Sequence, residues 1–384
     1  MTSPGPLLVH KMTTLDNTAE AAYSYLYPLV LMDETKKQQC RATNTWMHSR
    51  SYPPGHFKVV IRPNFDTLYS IAWLDLSSGP VVIQVPDTNG RYYCMHMMDM
   101  WTDSFAVPGS RTWGTSSNSC VVLGPDDHQQ ASHYQNDDDG DPHHHVFRAP
   151  TSSVWIINRI QTNGEDDYPA VHALQDSFHI TNLDGTPPPS SSVGRKQNIS
   201  KKMSPSSIVK RMSAKDFFNT AVRLLASSPP HQADGSIVLQ LERLGMHACS
   251  YDTFDFAGLS PSIQRALEVG AVAGWSGMRN FPLVDKIVHG WEMMNDGIGV
   301  YGNSYVRRAC VAASGLGAVP PEDAVYSTLS KSLPSDGRYE IVFKSNDLPP
   351  CDAFWSMTLY VMNYLIFLNV VVFFFWTFIL DNHP

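Results

Sequence analysis

Arg62, Asp66, Asp99, Asp103 and Arg111 stand among apolar, strand-forming residues in the stretch RPNFDTLYSIAWLDLSSGPVVIQVPDTNGRYYCMHMMDMWTDSFAVPGSRTWGT. Charges held near a core must be paired or hydrogen-bonded to be tolerated. Two readings of the cluster follow. In one, an arginine–aspartate network ties strands and turns together. In the other, the guanidinium of Arg62 or Arg111 grips a carboxylate or phosphate bidentately and a carboxylate, Asp66 or Asp99, serves as general base. Asn64 and Asp103 would then add polar contacts, and Tyr69, Tyr93 and Trp101 aromatic walls. Downstream, Tyr301, Tyr305 and Arg308 stand where an anion could be held near a helix start, although the adjacent Arg307 and Arg308 read equally as solvated residues on a helix.

Other motifs weigh less. Gly297-Ile298-Gly299-Val300-Tyr301-Gly302 has dinucleotide-binding spacing, but the residues before it, Trp291 to Asn295, read as helical and no βαβ unit surrounds it. The preferred reading is glycines that end one helix and allow close approach before the next. No Gly-x-Ser-x-Gly elbow is present, so a hydrolase nucleophile lacks its usual sign. The histidines of the acidic stretch 129–145 are adjacent on a segment without apolar periodicity; consecutive side chains diverge, so no metal site is expected there. Cys40, Cys94, Cys120, Cys249, Cys310 and Cys351 form neither a close pair nor a zinc-type cluster and read as thiols in a reducing compartment.

The first stretch resembles the domain-of-unknown-function family 1254, through Arg62-Pro63-Asn64, Asp66-Thr67-Leu68-Tyr69, Pro86-Asp87-Thr88, Gly90-Arg91-Tyr92-Tyr93, Met98-Asp99-Met100-Trp101-Thr102-Asp103 and Gly114-Thr115 in that order. Ile298 to Gly302, Tyr305, Arg308-Ala309, Gly315 to Ala318, Pro321 to Tyr326 and Phe354 to Tyr360 resemble family 1214. The resemblance implies β-sandwich character for both β parts and no established activity. It ends at Tyr360, where members of family 1214 continue into further strands.

Around these residues the pattern gives the scaffold. Residues Thr18 to Gln39 show helical spacing, with a kink or a break into two helices expected at Pro28. Strands are expected at Phe57–Ile61, Leu68–Leu76, Val81–Val85, Tyr92–Met98, Cys120–Leu123 and Val154–Ile160, where β-branched and aromatic residues alternate with turn residues. Helices follow at Asp166–Phe178, Ala214–Ala226, Gly235–Leu244, Pro261–Trp275 and Val284–Asn295. Pro320-Pro321-Glu322-Asp323 marks the start of a short helix through Leu329. Strands at Tyr339–Phe343 and Ala353–Tyr360 come next.

With 384 residues the chain exceeds one ordinary core, and 43% hydrophobic residues mark it as globular. A formal net charge of −8 offers no broad positive field, so nucleic acid is excluded as a partner. No signal-peptide core is present near Met1, and a cytoplasmic location is expected. The run Tyr364 to Leu380 is uncharged and approaches the length of a bilayer span. It reads as a tail anchor or as an altered end of the C-terminal domain, and membrane attachment through residues 360–380 depends on the first alternative.

The expected fold class is α+β and multidomain: an N-terminal helical segment (1–52), a β-sandwich-like domain (53–182), a linker (183–212), a helical region (213–280), an incomplete C-terminal β domain (281–360) and a hydrophobic tail (361–384). The leading functional expectation is an enzyme or binding protein for a small anionic or polar metabolite, in a pocket between the β domain and the helical and C-terminal parts. No cofactor and no metal is called for, and the sequence leaves a homo-oligomer open. The alternatives are a non-catalytic protein that binds glycans or a protein through exposed aromatics, and a truncated product without function.

Overall fold

A computed structural model describes residues 12–53, 65–127, 145–191, 203–288, 290–332, 340, 342–343, 348–349, 351–361 and 367–375. Its architecture is α+β. Helix α1 (Thr14–Gln39) opens it on a capping box, in which Thr13 and Asp16 satisfy each other's backbone N–H groups. The chain continues through β1 (Met47–His48), β2 (Thr67–Asp75), β3 (Val81–Val85), β4 (Tyr93–Met98), β5 (Ser104–Ala106), α2 (Ser110–Trp113), β6 (Asn118–Leu123), β7 (His145–Arg148), β8 (Ser153–Gln161), α3 (Tyr168–Asp176) and β9 (His179–Thr181). Four helices follow: α4 (Pro205–Arg211), inside the stretch read as a linker, then α5 (Ala214–Ser227), α6 (Gly235–Arg243) and α7 (Pro261–Asn280). The C-terminal part holds β10 (Lys286–Val288), β11 (Trp291–Met293), α8 (Tyr305–Gly315), β12 (Ala324–Ser332), β13 (Phe354–Val361) and β14 (Phe367–Phe375).

Two sheets, ordered β1-β2-β8-β4-β5 and β7-β6-β3-β9, face each other. Strand alternation explains the core between them: Leu68, Ala72 and Leu74 of β2, Tyr93, Met95 and Met97 of β4, and Val154, Ile156 and Ile160 of β8 meet Val81, Ile83 and Val85 of β3. The opposite face of the first sheet is apolar as well. Its Trp73, Met98, Trp155 and Ile157 join the side chains of α1, α5, α6, α7 and α8 in a second core, so sandwich and helices share one interior.

Helix α1 is the centre of that interior. Tyr25, Leu26, Tyr27, Leu29, Val30 and Met32 are each fully buried, which accounts for the lack of a one-sided apolar stripe in its sequence. It runs as one helix through Pro28 instead of breaking in two. Packing on all sides outweighs the local cost of the proline. Helix α7 crosses α1 very closely: a Cβ added at Gly270 would lie 2.5 Å from the carbonyl carbon of Ala19. Gly270→Val is expected to force the two helices apart and cost about 1–3 kcal/mol, read as a lower urea midpoint at unchanged slope.

Three segments differ from the sequence-based expectation. Residues 284–295 form the hairpin β10–β11 and not a helix, closed by Gly290 at φ +88°. The stretch after Pro320 makes a single turn, with Ala324 N donating to the Pro320 carbonyl, and enters β12 instead of a helix. Asp323 is taken up by Arg111 rather than by a helix start, and Val325, Tyr326 and Thr328 suit a strand paired on both sides.

Third, Phe367–Phe375 is not helical but is strand β14, hydrogen-bonded between β12 and β13 in an antiparallel sheet ordered β10-β11-β12-β14-β13. The β-branched and aromatic residues that fill it favour that state. Among the described residues no helix is long and apolar enough to cross a membrane. The strand expected at Phe57–Ile61, most of Tyr339–Phe343 and nearly all of the acidic stretch 129–145 lie outside the described residues.

Candidate functional site

The turn from β4 to β5 is built by Asp99. Its Oδ1 accepts from the backbone N–H groups of Trp101 at 2.9 Å and Asp103 at 3.0 Å, while its own N–H donates to the Asp103 carbonyl at 3.0 Å. Aspartate favours such turns because its side chain can replace a backbone acceptor. Thr102 sits inside the turn at φ +69°, a conformation that a β-branched residue adopts only when its surroundings impose it. That strain brings Asp99 and Asp103 round to one point.

At that point stands His231, from the loop between α5 and α6. Its Nε2 lies 2.6 Å from Asp99 Oδ2 and its Nδ1 3.7 Å from Asp103 Oδ2, and its side chain is 23% exposed where that of Asp99 is wholly buried. The loop is pinned on both sides: Trp101 Nε1 donates to the Pro229 carbonyl at 3.0 Å, and the His231 N–H donates to Asp234. Asp234 in turn accepts from the hydroxyls of Tyr25 and Tyr305, each at 2.9 Å. Tyr25 stacks on Trp101 with ring centroids 4.7 Å apart.

The glycine-rich loop closes the site. Asp103 Oδ1 accepts from the Tyr301 N–H at 3.0 Å, and Oδ2 from Arg308 Nη2 at 2.5 Å. Strand β11, not a helix, precedes the loop, yet the sheet around it is antiparallel, so the βαβ setting of a dinucleotide site is absent from these described strands. The loop and the first turn of α8 do hold an anion, the chain's own Asp103. Ser104 N donating to the Gly299 carbonyl at 2.7 Å fastens the same loop to β5.

Electrostatics follow from this geometry. Burial pushes the Asp103 carboxyl up to about 6, against the opposing pull of Arg308. Burial alone would lower His231; the hydrogen bond and charge of Asp99, with Asp103 adding, hold it above the ordinary histidine value. Ligand atoms of Asp99, Asp103 and His231 lie within 4.8 Å of one another, close enough to share a metal ion. The guanidinium on Asp103 and the hydrogen bond between Asp99 and His231 already occupy those atoms, so a hydrogen-bonded network describes the cluster better than a metal site.

Of the residues singled out from sequence, Asp99, Trp101, Asp103, Tyr301, Tyr305 and Arg308 come together here. Asp66 does not: it accepts from Ser356 Oγ at 2.5 Å in the C-terminal sheet, and burial raises its carboxyl. Arg111 is held bidentately by Asp323, with both contacts at 2.9 Å. Tyr69 lies on the outer face of β2 against Arg159, and Tyr93 is buried inside the sandwich on the opposite face of the sheet. Arg62 and Asn64 lie outside the described residues. Sequence reasoning missed Tyr25, His231 and Asp234. Tyr25 looked like helix core, and the loop Pro229-Pro230-His231-Gln232-Ala233-Asp234 carried only an acid before a helix, an ordinary helix-start signal.

Comparison with known proteins bears on the first half. Residues 43–182 match the family described as Protein of unknown function (DUF1254). The matched stretch runs from just before β1 to just after β9, and it contributes Asp99, Trp101 and Asp103 to the site but not His231 or Arg308. No curated protein matches the chain. The crystal structure of the VPA0106 protein from Vibrio parahaemolyticus superposes with a TM-score of 0.62 at 20% identity, over 92% of this chain and 81% of that one. At that identity the likeness speaks of fold alone. A putative uncharacterized protein from Burkholderia cenocepacia aligns over 84% of this chain and 68% of that one at 10% identity, but its TM-score of 0.33 supports no argument.

Proposed function

We propose that the chain binds a small polar or anionic molecule at the seam where the DUF1254 segment meets the 231–234 loop and α8, and that His231 exchanges a proton with it. The carrying observation is a part-exposed imidazole fixed by a fully buried carboxylate. That pairing sets one ring nitrogen and leaves the other to face Asp103, the arrangement a general acid–base needs. The resemblance of residues 281–360 to family 1214 belongs to the same proposal, because that stretch supplies Tyr301, Tyr305 and Arg308. The glycan- or protein-binding alternative calls for aromatics on an exposed face; Tyr93 and Trp101 are fully buried, which counts against it.

Native mass spectrometry of gently purified protein is the direct test, with a small molecule retained by the wild-type chain and absent from His231→Gln as the expected result. The pH dependence has a definite sign. Imidazolium favours an anion, and His231 loses its proton only above the ordinary histidine value. Affinity for the retained anion should therefore fall as the pH rises past the ordinary histidine value, by at most about tenfold per unit for one linked proton. An equal pH slope in calorimetry of His231→Gln would refute the assignment.

A further inference from the structure

We propose that Arg159 anchors an internal anion site for a small monocarboxylate, set on the outer face of the sandwich where the C-terminal part covers it. Arg159 stands on β8 directly across from Tyr69 of β2 and Cys94 of β4. It is only 6% exposed. Its Nη2 donates to the Gly317 carbonyl at 2.8 Å and its guanidinium lies 5.5 Å from the Tyr69 ring centroid. Nη1 is buried with no hydrogen-bond partner.

What sets this arginine apart is the missing counter-ion. Arg91 is paired with Asp167, Arg111 with Asp323 and Arg308 with Asp103, whereas no described carboxylate forms an ion pair with Arg159. The nearby Asp323 has both oxygens committed to Arg111. A charge removed from water without an opposite charge is costly, and an anion entering from outside would offset that cost. One vacant guanidinium nitrogen beside tyrosine rings suits a single carboxylate with a small apolar body. Phosphate, tetrahedral and doubly charged, needs more donors than the one free guanidinium nitrogen here supplies.

This site is separate from that of His231. Cys94, level with Arg159, and Met98, next to Asp99, are four residues apart on β4, roughly 13 Å along a strand. Either proposal can fail without the other.

The test is thermal unfolding of the full chain with sodium acetate as probe, at constant ionic strength and with sodium phosphate as comparison. Acetate at about ten times its dissociation constant should raise the melting temperature of the wild type by roughly 2 °C. Arg159→Met should abolish that rise, Arg159→Lys should keep part of it, and His231→Gln should leave it unchanged. If the methionine variant does not fold, Arg159→Gln takes its place with the same expected loss. No rise in the wild type, an equal rise in the variant lacking the guanidinium, or a rise with phosphate instead of acetate would overturn the proposal.

Discussion

Asp99→Ala is expected to lower the unfolding free energy by about 3–5 kcal/mol, because removing one member of a buried, hydrogen-bonded pair leaves its partners unsatisfied. Three donors lose their acceptor at once: the N–H groups of Trp101 and Asp103, and His231 Nε2. Thr102 would then hold its left-handed conformation without the carboxylate that enforces it. Asp99→Asn separates stability from chemistry. Its amide oxygen can still accept from both backbone N–H groups, so the turn persists, but the negative charge beside His231 is gone. NMR titration should find His231 in the asparagine variant at or below the ordinary histidine value, against a raised value in the wild type. Denaturant melts in which Asp99→Ala costs less than about 1 kcal/mol, the range of exposed ion pairs, would show that this carboxylate does not organise the turn.

Trp73→Ala is expected to cost about 3–5 kcal/mol, the usual range for truncating a buried aromatic. Trp73 is fully buried, its ring stacks on Trp155 at 5.3 Å, and it belongs to the core that the sandwich shares with the helices. Because its Nε1 has no hydrogen-bond partner, the loss is one of packing and contact rather than of a donor. The shared interior adds a second outcome: far-UV helical signal and tryptophan fluorescence should fall together in one transition, at a lower denaturant midpoint. Helical signal surviving after the fluorescence transition would show that sandwich and helices hold separate cores.

Much of this fold was legible where physics acts locally. Val81–Val85 and the strand at 67–75 announce themselves by β-branched and aromatic alternation between turn residues, and α5 to α7 by helical periodicity. Legibility failed where long-range pairing decided. Residues 284–295 and 320–329 carried weak helical signals, and neighbouring strands overrode them. The site shows the same division. Asp66 and Asp99 are both aspartates in apolar, strand-rich sequence, and nothing local tells that one faces Ser356 and the other a histidine 132 positions away. His231 could not be found from spacing, because only the packing of α1, α5 and α8 carries its loop to the β4–β5 turn.

The central place of α1 has a consequence for how the protein is made. This helix leaves the ribosome before the helices that surround it, which extend as far as Gly315. At roughly 5–20 residues per second, about 14–55 s separate the synthesis of Gln39 from that of Gly315. Through much of that interval the nascent chain displays an aliphatic and tyrosine-rich segment that its native neighbours cover only in part. That partly uncovered apolar stretch is the kind of surface holdase chaperones bind, so the order of synthesis offers them a handle on α1 before α8 exists.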